Sequence, residues 1–305
     1  MNLLNKLVVA TLPAVPKPVV RYFASRYIAG ESTTDAVRVV RSFNGLHVMT
    51  TLDVLGEDIH SRQEALSARQ NILDVLAVIS RERLDSNVSI KLTQLGLKLE
   101  RSFCLENARV IVEAAKDSNN FVRVDMEDSS CTDDTLWVYR ELGKRFSNIG
   151  VVLQAYLRRT EEDAKRLIAD GLRNFRLCKG IYIEPESIAF KNRNEINRNF
   201  MRVLELMFRE RAYVGIATHD QALIGAAYTA IGQSGFEKSD YEFQMLLGVR
   251  PELRSKIIRD GHRIRVYVPF GKHWYQYSIR RFKENPQIAG QVFRSILKHN
   301  HSLSP

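Results

Sequence analysis

Cysteine is scarce in this 305-residue chain. The three present, Cys104, Cys131 and Cys178, lie far apart with no CxxC or Cys/His ligand spacing. That excludes a disulfide framework and a structural metal site, and it suits a reducing, cytoplasmic setting. No Pro/Gly/Ser-rich linker divides the chain into halves, so composition marks no domain boundary in its body. Long apolar runs are missing too: nothing approaches the roughly 18 uninterrupted apolar residues of a membrane span. The opening stretch MNLLNKLVVATLPAVPKPVVRYF is signal-like at first, but prolines at 13, 16 and 18 break it and Lys6 is the only positive charge before its apolar part. It reads as an N-terminal helical arm over residues 1–44, ahead of a catalytic domain over 45–305. Catalytic signatures are equally thin. There is no GxGxxG after the first strand, no P-loop, no HExxH and no Ser-His-Asp order, which disfavours a doubly wound dinucleotide fold and metal or acyl-transfer chemistry.

What the chain has in excess is positive charge, +10 at neutral pH. Such a balance favours anionic partners and says nothing about fold. RNP-like, zinc-finger and helix-turn-helix signatures are absent and the Lys and Arg are spread along the chain, so no nucleic-acid partner is expected. An acidic ligand or an anionic lipid surface remains.

From residue 45 onward, eight short apolar runs alternate with segments of helical period: LHVMTTLDVL, VSIKL, FVRVDME, GVVLQAY, FRLCKG, YVGIATHD, YEFQMLLG and RIRVYVP. Eight turns of strand and helix without a linker predict a closed (β/α)8 barrel of the α/β class. Alternate side chains of a strand face opposite ways. In FVRVDME, Arg123, Asp125 and Glu127 therefore oppose Val122, Val124 and Met126, and in RIRVYV, Arg263, Arg265 and Tyr267 oppose three aliphatics. The apolar faces belong against the helices and the polar faces inside. Barrel interiors are normally filled by branched aliphatics, and an unpaired charge there is costly, so these groups must pair with one another or with a ligand. Lys91, Asp125, Gln154, Lys179, His219 and Tyr267 all fall near the C-terminal ends of their runs, the end where barrel enzymes build active sites. Taken singly each has a plainer reading: Asp125 as a partner of Arg123, His219 as an aid to the helix start near Asp220, Lys179 as a solvated loop lysine. Lys91, Arg176, Lys179, Arg280 and Arg281 outnumber the one acid counted with them, Asp125, which suits an anionic ligand better than a glycosidase carboxylate pair.

The stretch RIRVYVPFGKHWYQYSIRRFKEN puts Tyr277, Arg280 and Arg281 at i, i+3 and i+4, on one face of a helix. An arginine fork can meet a carboxylate with two parallel hydrogen bonds. That stretch, with SIKLTQLGL, VRVDMED, VVLQAYL, RLCKGIYIE, ATHD and YEFQMLLGV, resembles the proline dehydrogenases in order and spacing, most closely the short monofunctional bacterial form, over roughly residues 40–300. The resemblance implies a barrel whose last helix lies over the mouth. It implies FAD-dependent oxidation of L-proline to pyrroline-5-carboxylate in proline catabolism, with electrons passed to a membrane quinone. Carried over residue by residue, it implies that Arg280, Arg281 and Lys91 hold the substrate carboxylate while Leu246, Tyr267 and Tyr277 enclose the ring. Asp125 and Arg176 would act on the reaction. Met126, Gln154, Arg176, Lys179, Gly180, Ile181, Thr218, His219 and Glu284 would contact the cofactor. Ile181 departs from the family pattern, in which alanine follows the glycine. An acceptor in lipid gives the positive surface a role as a peripheral contact with the anionic face of the membrane. A related folate-reductase-like flavin barrel and a non-enzymatic anion sensor are the rival readings.

Overall fold

The computed structural model describes residues 17–56 and 59–284, with the backbone alone for residues 17–19, 23 and 280–284. Eight parallel strands close into a barrel in chain order: β1 Met49–Val54, β2 Ser86–Ile90, β3 Val122–Val124, β4 Ile149–Gln154, β5 Asn174–Cys178, β6 Tyr213–Ala217, β7 Tyr241–Leu246 and β8 Ile264–Phe270. Closure is made by β1 on β8, from Met49 opposite Arg265 to Val54 opposite Phe270. Each predicted apolar run supplies one strand, and the expected barrel class stands.

Local sequence explains the helices between the strands. Helix Arg62–Arg81 starts at a reciprocal capping box in which the Ser61 hydroxyl accepts from Glu64 N–H and the Glu64 carboxylate accepts from Ser61 N–H, satisfying amides that have no partner within the helix. Its Ala65, Ile72, Val75, Leu76 and Ile79 are buried at helical spacing. Ser32 and Asp35 form the same box ahead of Thr33–Asn44, which lays Ala36, Val40 and Phe43 against the β1 and β8 side of the barrel. Pro251 occupies the first turn of Pro251–Arg259, where its missing N–H costs nothing. Helices Arg101–Asp117, Thr132–Gly143, Thr160–Ala169, Arg193–Arg209 and Gln221–Ser234 complete the ring.

The last described helix, Trp274–Glu284, follows β8 directly, and His273 just before it and Gln276 and Tyr277 in its first turn line the cavity at the barrel mouth. The first described helix, Lys17–Ala24, packs against it. The chain between them is stitched to the end of β8: Ala29 N–H donates to Pro269 C=O at 2.9 Å, Gly271 N–H to Gly30 C=O at 3.0 Å, and the Trp274 indole N–H to Glu31 at 2.9 Å.

Glycine makes the polar interior sterically feasible. A Cβ at Gly150 on β4 would sit 2.3 Å from an Arg123 guanidinium nitrogen. Arg123 is 2% exposed and bonds not to Asp125 but to Asn174, through its side-chain oxygen at 2.6 Å and its carbonyl at 3.2 Å. The plainer reading of Asp125 as a partner of Arg123 therefore fails.

Candidate active site

Polar side chains from the C-terminal ends of the strands converge on a cavity of about 950 Å³, at the upper end of the range for ligand sites. Asp125, one residue past β3, is its hub. Its Oδ1 accepts from Ser89 Oγ at 2.6 Å and from an Arg176 guanidinium nitrogen at 2.7 Å, and its Oδ2 accepts from the Tyr267 hydroxyl at 2.8 Å. Burial pushes the Asp125 carboxyl up, but the charges of Arg176 and Lys91 and these hydrogen bonds outweigh it and hold its pKa below the usual range. The same burial, with Asp125 and Asp53 nearby, raises the Tyr267 phenol well above its ordinary value. Tyr267 is therefore a neutral donor at physiological pH. Its ring is also covered by the Arg176 guanidinium at 5.3 Å.

Lys91, just past β2, donates to Asp53 Oδ1 at 2.6 Å and lies 3.8 Å from Asp125. Burial works against its ammonium, yet Asp53 and Asp125 raise its pKa overall, so it is charged throughout the neutral range. On the opposite wall Lys179 donates to Asp220 Oδ2 at 2.7 Å, and Arg193 reaches the same oxygen at 2.8 Å. Desolvation raises the Asp220 carboxyl, and the bonds from Lys179 and Arg193 override it and depress the pKa. His219 Nε2 accepts from the Leu246 amide at 2.9 Å, while Asp220 itself caps Gln221–Ser234. Neither His219 as helix cap nor Lys179 as solvated lysine describes what these residues do. Burial pushes the Cys178 thiol up to about 11, so no thiolate nucleophile is available there.

The arrangement is three cation–carboxylate pairs, Lys91–Asp53, Arg176–Asp125 and Lys179–Asp220, around a space large enough for a cofactor and a small substrate. No group of three or more His, Cys, Asp or Glu among the described residues has metal-binding geometry. Such a site polarises and orients but offers no nucleophile of its own.

Comparison with known proteins decides the assignment: residues 36–294 match the family model for proline dehydrogenase. The chain belongs to the proline dehydrogenase family. It is 36% identical over 278 residues to proline dehydrogenase 1 of Bacillus subtilis subsp. natto, covering 91% of this chain and 92% of that one. It is 34% identical over 281 residues to the proline dehydrogenase of Deinococcus radiodurans, covering 90% of each. Among solved structures, proline utilization A from Bdellovibrio bacteriovorus, inactivated by N-propargylglycine, superposes with a TM-score of 0.81 at 25% identity. That match covers 87% of this chain and 33% of the other, so this proline dehydrogenase spans about a third of that longer protein. Proline utilization A from Bradyrhizobium japonicum, at 20% identity and a TM-score of 0.72, shares the barrel. The enzyme is thus a flavin-dependent oxidoreductase that oxidises proline in proline catabolism.

Of the residues singled out in the sequence of this proline dehydrogenase, Lys91, Asp125, Met126, Gln154, Arg176 and Lys179 line this cavity together. Gly180, Ile181, Thr218, His219, Leu246, Tyr267 and Tyr277 line it as well. Arg280, Arg281 and Glu284 continue the last helix, and their side chains lie outside the described residues. Strand parity ends with β3 at Val124, which is how Met126, assigned to the apolar face, reaches the cavity beside Asp125. Glu127, which strand parity puts on the inward polar face, lines the cavity too, buried and accepting from Thr93 N–H at 3.1 Å and Thr93 Oγ1 at 2.6 Å, and the structure adds two acids beyond that reading, Asp53 and Asp220. The signal for Asp53 was present as a lone carboxylate in an otherwise apolar and threonine-bearing run.

Gly180 carries a sharp constraint. Its φ is +100°, and a Cβ there would lie 2.1 Å from the Tyr156 ring. Gly180→Ala is expected to displace the loop from the cavity wall at a cost of about 1–3 kcal/mol, giving a lower flavin-to-protein ratio and a lower Tm. Full flavin content with an unchanged Tm would contradict this reading of the turn.

Proposed function

We propose that this proline dehydrogenase holds FAD in the barrel-mouth cavity, converts L-proline to pyrroline-5-carboxylate and delivers the electrons to a membrane quinone. The observation that carries the reading is the cavity of about 950 Å³ with its three ion pairs. Gln154, which lines it, keeps a buried side-chain oxygen with no hydrogen-bond partner among the described residues. A flavin ring, with one N–H donor, two carbonyl oxygens and two ring-nitrogen acceptors, suits a site that offers an open amide acceptor beside Lys and Arg donors. Met126, Gln154, Arg176, Lys179, Gly180, Ile181, Thr218, His219 and Glu284 would hold it. The chemistry a bound flavin supplies is acceptance of a hydride from the ring carbon beside the proline nitrogen.

The remaining work falls to the chain. The cations lining the cavity, Lys91, Lys98, Arg176, Lys179 and Arg193, are matched in number by its carboxylates, Asp53, Asp125, Glu127, Asp128 and Asp220, so the charge that draws in a carboxylate comes from elsewhere. Arg280 and Arg281 supply it in this reading, with Lys91 adding one of the ammonium hydrogens that Asp53 does not use. Tyr267, Tyr277 and Leu246 close around the ring, exclude water and hold the donor carbon in place. Arg176 contributes a fixed positive charge where negative charge builds up during the reaction. The test is to release the flavin from purified protein and identify it. FAD is the expected result, and FMN or no flavin would refute the cofactor assignment.

The excess of positive charge and the absence, among the described residues, of any helix long and apolar enough to cross a membrane suit a cytoplasmic enzyme that touches the inner membrane face reversibly. Each Lys or Arg held near an anionic leaflet contributes about 1 kcal/mol, and salt screens that attraction over about 10 Å at 0.1 M. Co-sedimentation is expected with anionic vesicles at low ionic strength, weakly with neutral vesicles, and hardly at all at high salt. Equal binding to both vesicle types would shift the anchoring to the apolar N-terminal arm, whose residues 1–16 lie outside the described residues.

A further inference from the structure

Beneath the cavity a polar spine crosses the barrel interior from floor to mouth. Glu242 and Gln244 stand two apart on β7 and so share a face; they are 1% and 6% exposed. Arg265 on β8 donates through Nε to Glu242 Oε1 at 2.7 Å and through a terminal nitrogen to the Thr50 carbonyl at 2.7 Å, near the start of β1. The Gln244 amide nitrogen donates to the same Glu242 oxygen, and Arg176 Nε donates to the Gln244 amide oxygen. A terminal nitrogen of Arg176 then donates to Asp125. The barrel makes room for this: a Cβ at Gly215, on neighbouring β6, would lie 2.4 Å from the Gln244 amide nitrogen.

Stability does not account for such a device, because buried ion pairs can generally be replaced by well-packed aliphatics at no loss, and aliphatics are the usual filling of a barrel. What the spine does is orient. Gln244 sits between a cation and an anion, so only one orientation of its amide satisfies both ends. The anion is secure: burial pushes the Glu242 carboxyl up, but Arg265 and the hydrogen bonds it receives hold it at about 2. With its Nε committed to Gln244, the Arg176 guanidinium is held at two points, one terminal nitrogen on Asp125 and its central carbon over the Tyr267 ring, 5.3 Å from the ring centre.

We propose that Gln244 and Glu242 are positioning residues for proline oxidation, acting by fixing the guanidinium of Arg176 against Asp125 and Tyr267. The proposal rests on the role given above to Arg176. It is tested on flavin-loaded enzyme by a double-mutant cycle. Arg176→Lys, which removes the Nε donor, is expected to lower kcat at least about tenfold, and Gln244→Met, close in shape but without the amide, about tenfold with KM for proline within about threefold. The double variant is expected to fall no more than about twofold below Arg176→Lys alone, because the two changes break one connected unit. If Gln244→Met does not fold, Glu242→Gln replaces it in the cycle, with the same non-additive result expected. Additive losses, or a loss confined to KM, would overturn the positioning role and leave that of Arg176 intact. So would failure of both spine variants to fold while Arg176→Lys folds and binds flavin, which would make the spine purely structural. An unchanged kcat in Arg176→Lys would overturn the reading of Arg176 itself, and the spine's role with it.

Discussion

Asp125→Ala is expected to lower kcat about a hundredfold or more, the range seen when a preorganised electrostatic contact is removed from an active site, in a protein that still folds. The carboxylate accepts from Ser89, Arg176 and Tyr267 and lies 3.8 Å from Lys91. Its removal takes the acceptor from the tyrosine and from one terminal nitrogen of Arg176, and the second nearby carboxylate from Lys91, which keeps Asp53, so the residues that meet the substrate lose their common reference point. It also leaves the Arg176 charge buried without its partner. Breaking a buried pair in this way costs about 3–5 kcal/mol, so Tm should fall by several degrees. Circular dichroism and the Tm separate the two effects: a native spectrum with a collapsed kcat is the expected outcome. A variant with near-normal kcat would remove Asp125 from the reaction, and one that fails to fold would make it a structural residue only.

Arg280→Lys and Arg281→Lys are each expected to raise KM for proline about tenfold to a hundredfold, from the roughly 1.5–3 kcal/mol carried by a hydrogen bond to a charged group, while flavin content stays unchanged. The structure strengthens the case for this pair indirectly. Lys91, Arg176 and Lys179 are already committed to Asp53, Asp125 and Asp220, so little net positive charge is left in the described cavity for a carboxylate. Lysine keeps the charge but cannot copy the planar two-point grip of a guanidinium. Near-normal KM in both variants would mean that the substrate carboxylate is held elsewhere.

The barrel was legible because its strands are short apolar runs punctuated by amphipathic segments, a pattern set by burial on both faces of a parallel sheet. Strand parity carried Asp125 and Tyr267 to the cavity because both continue the polar face of their runs. It misjudged Met126, since the alternation holds only as far as the strand, and β3 ends at Val124. Asp53 and Asp220 escaped as site acids because each is a single carboxylate whose partner lies far along the chain, 38 residues away for Lys91 and 41 for Lys179. Spacing motifs cannot register such pairs. Glu242 and Gln244 were within reach: in YEFQML they alternate with Tyr241, Phe243 and Met245, the same split that exposed the polar faces of β3 and β8. No local pattern could show that Gly215 is glycine because the Gln244 side chain passes over it. That constraint exists only once β6 and β7 are paired.

The most direct test of the central claim is to add L-proline anaerobically to the purified enzyme and follow the flavin spectrum. The account predicts a yellow protein whose flavin absorbance bleaches on adding proline and stays bleached until an electron acceptor is supplied. A colourless protein, or a yellow one whose spectrum proline leaves unmoved, would contradict it.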